Sequence, residues 1–518
     1  MKPLLLCLAL LGVAQGYHIL CVFPVPSRSH NTLGKGIVDA LLKAGHEVTW
    51  ATPYPPKEAK KGLNIVDVSA TIPIIESKFN AKLGLAGLKL VKGYALNITK
   101  TALTPLLKRK LIETQFDAVV TEMFFSEIEA GYAAVQGVPW IVLSGSILQP
   151  PLQALVDAAN SVPVIPSMFA DYPLPLTFWQ RMVNAAIFVN HVTTSYNFKK
   201  CQHNIKNYEG MFASIAAARG VQLPSFEAAL YDISVLLVNS HPSFTTPHSL
   251  PPNVVDIAGY HVDENIPPLP KDLQDLLDSS PQGVVYFSMG SVLKSATFPE
   301  KTRRDLLRVF GELPYTVLWK FEEQLDGLPK NVHLRKWMPQ SSILAHPNVR
   351  VFITHGGILS NIEAVYHGIP LISIPLYGDQ PANANRAARA GYAIKLDYDF
   401  ETMASQLRPA LNEILGTDRY YKQAKYLSGL FRNRPVAPSK LISHYIEVAI
   451  SSKGAHHLRS QALSYPWYQR CMLDIATFVF CIFVVLYLVV KKVAKFVLSM
   501  CQRSSTKKER KLKKNWQD

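Results

Sequence analysis

Residues 337–380 read WMPQSSILAHPNVRVFITHGGILSNIEAVYHGIPLISIPLYGDQ, and this stretch decides the fold. An apolar strand over 349–353 runs into Thr354-His355-Gly356-Gly357, where paired glycines let the backbone approach a ligand closely. A helix is expected from about Leu359, presenting free N–H groups and a positive dipole end to whatever occupies the turn. Strand, glycine turn and helix start together make a phosphate site. Glu363 lies four residues into that helix, roughly 6 Å along its axis, about the span from a pyrophosphate to a ribose diol. A second strand over 370–376 ends at Gly378-Asp379-Gln380, placing a carboxylate and an amide at a strand's carboxyl end, where open α/β sheets bind ligands.

Working outward, the chain falls into two halves that each open as a doubly wound α/β unit. The first begins with a buried-type strand at His18-Ile19-Leu20-Cys21-Val22-Phe23-Pro24, then a loop carrying His30, a helix over 33–44 and a strand at Val48-Thr49-Trp50. Further strands are expected at 118–121, just before Glu122, and at 140–143. The second half opens at 283–288, turns through Met289-Gly290-Ser291, and continues in strands at 317–320, 332–334, 349–353 and 370–374. Between them, residues 246–270 are proline-rich and read as a linker. The expected domains are 17–245 and 271–463, two parallel sheets facing across a cleft.

The 518 residues are 48% apolar, which excludes a disordered chain. The formal charge of +16 does not point to nucleic acid, because residues 491–518 hold ten Lys and Arg against Glu509 and Asp518, half of the excess. Residues 1–16 have the pattern of a secretory signal, with Lys2, an apolar run over 4–13 and a small-residue cleavage site. Residues 472–490 are long and apolar enough to span a bilayer. The lysines at 491, 492 and 495 place the tail at 491–518 in the cytosol and the body in the lumen. Endoplasmic reticulum residence is expected, although the Lys513-Lys514 pair stands two residues further from the end than a dilysine retrieval signal requires. Of six cysteines only Cys21 and Cys201 lie in the body, so no disulfide framework is expected. Asn97-Ile98-Thr99 is a glycosylation sequon.

The block at 337–380 resembles the signature of the UDP-glycosyltransferases, and the body from Tyr17 to about Leu463 reads as a member of that family. The sequence GAHHLRSQALSYPWYQ (454–469) before an apolar span is similar to the animal membrane-anchored branch, most closely its insect members. The resemblance implies the GT-B architecture: two Rossmann-like domains and one C-terminal transmembrane helix. It also carries the catalytic base onto His30, whose imidazole titrates near working pH. Its carboxylate partner falls on Glu122, where the family's FDxxxxD pattern has aspartate; the added methylene leaves Glu127 as an alternative. On the donor side the resemblance implies that Trp337 stacks on uracil, Gln340 contacts the nucleoside and Glu363 accepts from the ribose. His355, Gly357, Ser360 and Ser291 would surround the diphosphate, and Asp379 and Gln380 would hold the sugar hydroxyls. Many relatives have asparagine at Leu359, a side-chain donor this chain lacks.

The resemblance implies inverting transfer of a hexose from a UDP-sugar to a hydroxyl of a small lipophilic acceptor such as a phenol, flavonoid or steroid-like molecule. Glucose is the favoured hexose and glucuronate the alternative. The UDP-sugar is a co-substrate, and no metal or other cofactor is expected. Asp397-Tyr398-Asp399 has the spacing of a metal-bridging pair but reads as a surface turn. Two other classes compete: an epimerase of the same architecture, and a catalytically silent, membrane-tethered binding protein. An apolar helix over 176–192 is either an ordinary core helix or a face that meets the bilayer near the acceptor site. Acceptor identity is not readable from the sequence, and a homo-oligomer stays open.

Overall fold

The computed structural model describes residues 16–514 apart from 77–84, 158–161, 163–164, 168–171, 196–197, 246, 248 and 292. The signal expected at 1–16 therefore lies outside the described residues but for Gly16, as do the last four residues of the tail. Residues Met1–Arg459 form one unit and Ser460–Asp518 another.

In the first unit seven strands make one sheet: β1 (His18–Val22), β2 (Glu47–Thr52), β3 (Leu63–Asp67), β4 (Ala118–Glu122), β5 (Trp140–Ser144), β6 (Ile233–Val238) and β7 (Val254–Asp256). They pair in the order β3-β2-β1-β4-β5-β6-β7, all parallel. Six more make a second parallel sheet: β8 (Val284–Ser288), β9 (Thr316–Lys320), β10 (Val332–Arg335), β11 (Val349–Thr354), β12 (Leu371–Ser373) and β13 (Ala393–Lys395). Their order is β10-β9-β8-β11-β12-β13. The central strands β4, β5, β6 and β8 are buried along their whole length, as helices on both faces require, which is why they read as unbroken apolar runs.

Strand order reverses between β1 and β4 in one sheet and between β8 and β11 in the other. At such a point successive connections leave toward opposite faces and open a crevice at the carboxyl edge. Register then decides which residues meet there. Val22 pairs with Thr121, so the chain leaving β1 passes beside Glu122. Ser288 pairs with Thr354, so the turn at Gly290 lies against His355.

Three expectations change. The helix after β1 is Arg28–Lys43, so His30 sits in its first turn rather than in a loop; Ser27 caps it, its hydroxyl accepting from the His30 N–H at 3.3 Å. The stretch 246–270 is not wholly linker, because β7 adds to the edge of the first sheet. The second half does not keep its own C-terminus either: helix Pro438–Ser451 buries Ile442, Ile446 and Ala449 in the core around Ile37, Val38 and Leu41 of the first sheet. Its apolar stripe covers a face that the first 245 residues leave bare.

In the second unit the helix Leu473–Lys514 runs through the expected span into the basic tail, and its first part is long and apolar enough to cross a membrane.

Candidate active site

A cleft of about 1170 Å³ lies between the carboxyl edges of the two sheets and is lined from both. Of the residues expected at the site, His30, Glu122 and Glu127 line it from the first sheet. Ser291, Trp337, Gln340, His355, Gly357, Ser360, Glu363, Asp379 and Gln380 line it from the second.

Both Glu122 oxygens lie 2.8 Å from His30 Nδ1, and it is Glu122 rather than Glu127 that meets the imidazole. The bond fixes the tautomer, with the proton on Nδ1 facing Glu122, and leaves Nε2 as the basic nitrogen. Burial lowers the proton affinity of His30, but the charge and hydrogen bond of Glu122 and the charge of Asp379 outweigh it and raise its pKa above the ordinary value. Asp379 is thus close enough to His30 for each to feel the other, although they belong to opposite sheets.

Sequence reasoning missed the residue that makes the longer carboxylate fit. A Cβ on Gly145 would stand 2.4 Å from Glu122 Oε1 and 2.7 Å from Leu33 Cδ1, so the glycine vacates the space that the extra methylene needs. Asn239 holds this turn by donating to the Gly145 carbonyl at 3.0 Å. Phe124 closes another side of His30, edge-on at 4.6 Å between centroids, and the next residue, Phe125, has φ of +57°, a strained backbone right after β4.

Across the cleft, Gly357 caps the helix Ile358–His367, whose free N–H groups face the crevice. His355 is sandwiched between glycines: a Cβ at Gly290 would meet its ring at 2.6 Å and one at Gly357 at 2.5 Å. Gly290 and Gly356 also have φ of +84° and +80°, which only glycine takes readily. Burial, then the nearby Lys320, drives the His355 pKa down to about 4, so it is a neutral hydrogen-bonding group. Lys320 was not foreseen: a nearly buried ammonium at the end of β9, it lines the cleft, pairs with Glu322 at 2.9 Å and lies 6.0 Å from the Trp337 ring. Trp337 is 65% exposed, which rules out a core tryptophan and leaves its face open.

Gln340 ties this side together, donating to Glu363 Oε2 at 2.7 Å and to Ser360 Oγ at 3.2 Å. Burial lifts the Glu363 carboxyl to about 7 despite the Gln340 bond. Asn383 positions Asp379, donating to Oδ2 at 2.7 Å. The Gln380 oxygen accepts from the Leu376 and Tyr377 N–H groups at 2.9 and 3.3 Å, leaving its NH₂ group as the end that can serve a ligand. Leu359 packs instead against the apolar core of the first sheet.

The first sheet supplies an apolar wall that includes Ile98, Met123, Leu152, Leu155, Ile187 and Phe188. The last two come from helix Phe178–Ser195, whose other face exposes Phe178, Trp179, Met182, Val183 and Val189, so it is not an ordinary core helix. The sequon has a second explanation: Asn97 is exposed on helix Leu85–Ala102, but the Thr99 hydroxyl is buried and bonded to Ser126 Oγ at 2.6 Å and Glu129 Oε1 at 3.2 Å. Asp397 and Asp399 are exposed, and no group of three or more metal-ligating side chains occurs among the described residues.

The family model described as "UDP-glucoronosyl and UDP-glucosyl transferase" matches residues 48–510. The chain is 30% identical over 514 residues to the UDP-glucosyltransferase 2 of Dactylopius coccus, covering 98% of each. It is 28% identical to the UDP-glucuronosyltransferase 1A7 of Mus musculus, covering 96% of this chain and 95% of the other. Among solved structures, the glycotransferase of kitacinnamycin aligns with a TM-score of 0.57 at 19% identity, covering 84% of this chain and 99% of that one. The calicheamicin glycosyltransferase CalG4 aligns with a TM-score of 0.55 at 17% identity and the same coverage. The fold they share with this chain is GT-B.

Proposed function

The chain belongs to the family of UDP-glucuronosyl and UDP-glucosyl transferases, and we propose that it transfers a hexose, glucose first, from a UDP-sugar to a hydroxyl of a small lipophilic acceptor with inversion. The observation that carries this is the His30–Glu122 pair, bonded at 2.8 Å and facing Asp379 and the Gly357 helix terminus across one cleft. His30 Nε2 takes the acceptor's proton as its oxygen attacks the anomeric carbon, and Glu122 stabilises the imidazolium that results. UDP leaves into the helix terminus, Ser291, Ser360 and Lys320, groups that hold its growing charge without rearrangement. Trp337 takes the uracil face, Gln340 and Glu363 the ribose, Asp379 and the Gln380 amide the sugar hydroxyls. The apolar wall takes the acceptor, and the exposed face of helix Phe178–Ser195 meets the bilayer to which the C-terminal helix tethers the protein.

Glucose follows the Dactylopius coccus relative, and glucuronate follows the mammalian one. The Glu122 departure does not favour the silent-binder alternative, since Glu122 reaches His30 in spite of its extra methylene. The deciding experiment is UDP release by membranes carrying the chain, with UDP-glucose, UDP-glucuronate or UDP-galactose and a mixed phenol and flavonoid panel, beside His30→Ala. Turnover that disappears in the variant supports the reading and identifies the donor. UDP binding by a folded protein without turnover of any donor goes against it.

A further inference from the structure

Tyr260 and His261 lie in the stretch between the two sheets, and their side chains reach in different directions. The Tyr260 hydroxyl donates to Leu33 O at 3.1 Å, on the helix that carries His30. A Cβ on Gly36 of that helix would strike the Tyr260 ring at 2.7 Å, so the contact is close. His261 reaches the other sheet: its Nε2 stands 4.0 Å from Glu363 Oε1. The His261 side chain is 0% exposed, and neither ring nitrogen has a hydrogen-bond partner. The Leu359 backbone favours its proton slightly without reaching hydrogen-bond geometry. Glu363 is under-satisfied on the same side, because Gln340 serves Oε2 and no donor among the described residues serves Oε1. A buried ring without a partner, facing a carboxylate oxygen that no described donor serves at the edge of a cleft, calls for an explanation.

We infer that His261 is a positioning residue for the ribose carboxylate: when the two sheets close on a donor, its ring moves onto Glu363 Oε1 and holds that group as an oriented acceptor. The inference rests on the reading of Glu363 as the ribose-binding group. The present separation is about 1 Å beyond a hydrogen bond, the kind of gap that closes in a ligand complex. A ribose diol offers two donors and needs an anion opposite. Burial leaves Glu363 near half-protonated at neutral pH, and in its protonated form it would compete as a donor. Burial also keeps His261 neutral, so it meets Glu363 as an uncharged ring whose N–H can donate to Oε1. That bond is made to the ionised carboxylate and so favours it, no proton changes hands, and the carboxylate charge is left facing the ribose.

The test is calorimetric binding of UDP and 2′-deoxy-UDP to the full-length protein in detergent, for wild type, His261→Leu and His261→Gln, with donor KM and kcat alongside. Wild type should prefer UDP. The leucine variant should bind UDP about tenfold more weakly and 2′-deoxy-UDP as wild type does, raising donor KM with kcat within about twofold. Glutamine, whose N–H still reaches Glu363, should restore most of the preference. Should the leucine variant not fold, His261→Asn, one methylene shorter, replaces it in the comparison. Equal weakening of both nucleotides, or an unchanged preference in the leucine or asparagine variant, overturns the inference. A wild type indifferent to the 2′-hydroxyl overturns the ribose reading of Glu363 itself, and the inference with it.

Discussion

Gly145→Ala adds one methyl group and should disable the enzyme through its neighbour. That methyl would stand 2.4 Å from Glu122 Oε1, where ordinary contact begins at 3.4 Å. The turn cannot easily retreat, because Asn239 grips the Gly145 carbonyl and Ser144 ends a strand buried along its whole length. Glu122 therefore gives way by about 1 Å, and a misplacement of that size in a catalytic group lowers rate roughly 10²-fold, or about 2.7 kcal/mol of barrier. The assay is UDP release with whichever donor and acceptor the wild type turns over, with a thermal melt to confirm folding. The same reasoning predicts rescue: Glu122→Asp alone should lose activity because its carboxylate is a carbon–carbon bond short. In the Gly145→Ala background it should lose much less, since the methyl then fills the space the shorter side chain vacates. Activity of Gly145→Ala within threefold of wild type, or additive losses in the double variant, would falsify this account of how a glutamate replaces an aspartate.

Three further outcomes follow from the same cleft. The base must be neutral to act, so kcat/KM should fall as pH drops through the raised His30 pKa. Glu122→Gln removes the main raising influence and should move that acid limb to lower pH while the plateau drops roughly 10²–10⁴-fold; a limb that stays put would assign it to another group. Glu363 titrates at about 7, so UDP affinity should weaken below neutrality, by a limiting tenfold per pH unit, and Glu363→Gln should bind with a flat pH profile in calorimetry. Trp337→Ala should cost about 1–3 kcal/mol of UDP binding, seen as donor KM against an unchanged kcat, with Trp337→Phe recovering most of it.

How much was legible in the sequence depended on distance along the chain. The phosphate turn, the helix after it and the Asp379-Gln380 pair lie within one continuous stretch whose spacing alone arranges them. Buried strands such as β4 and β8 announced themselves as apolar runs. His30 and Glu122, 92 residues apart, meet only through the β1–β4 register, and their pairing needed the resemblance before the structure gave a distance. Gly145, Lys320 and His261 were not readable at all. Each stands beside a residue far off in sequence, and a lone glycine, lysine or histidine carries no local pattern. The helix Pro438–Ser451 misled for a related reason: its apolar stripe marks a buried face but not which sheet buries it.

Leu359 shows how the departures in this chain fit together. At the start of the helix Ile358–His367 it lines the cleft, yet it packs against the first sheet's core, a cluster that includes Leu33 and Ile37, where the resemblance would have put an asparagine facing the diphosphate. In place of the ligand contact that the resemblance implies, the side chain makes a contact between the two sheets, and Lys320 brings a charge near the turn at His355 from a different strand. Leu359→Asn should therefore pull binding and stability apart. Losing a half-buried leucine should lower stability by about 1 kcal/mol, while an added amide donor to a dianion should tighten UDP by an amount on the order of tenfold. A differential melt and UDP calorimetry on the same preparation measure both. If stability is unchanged, Leu359 does not join the sheets. If UDP instead binds more weakly, the leucine was holding the helix terminus in place, and the contact between the sheets is itself part of the donor site.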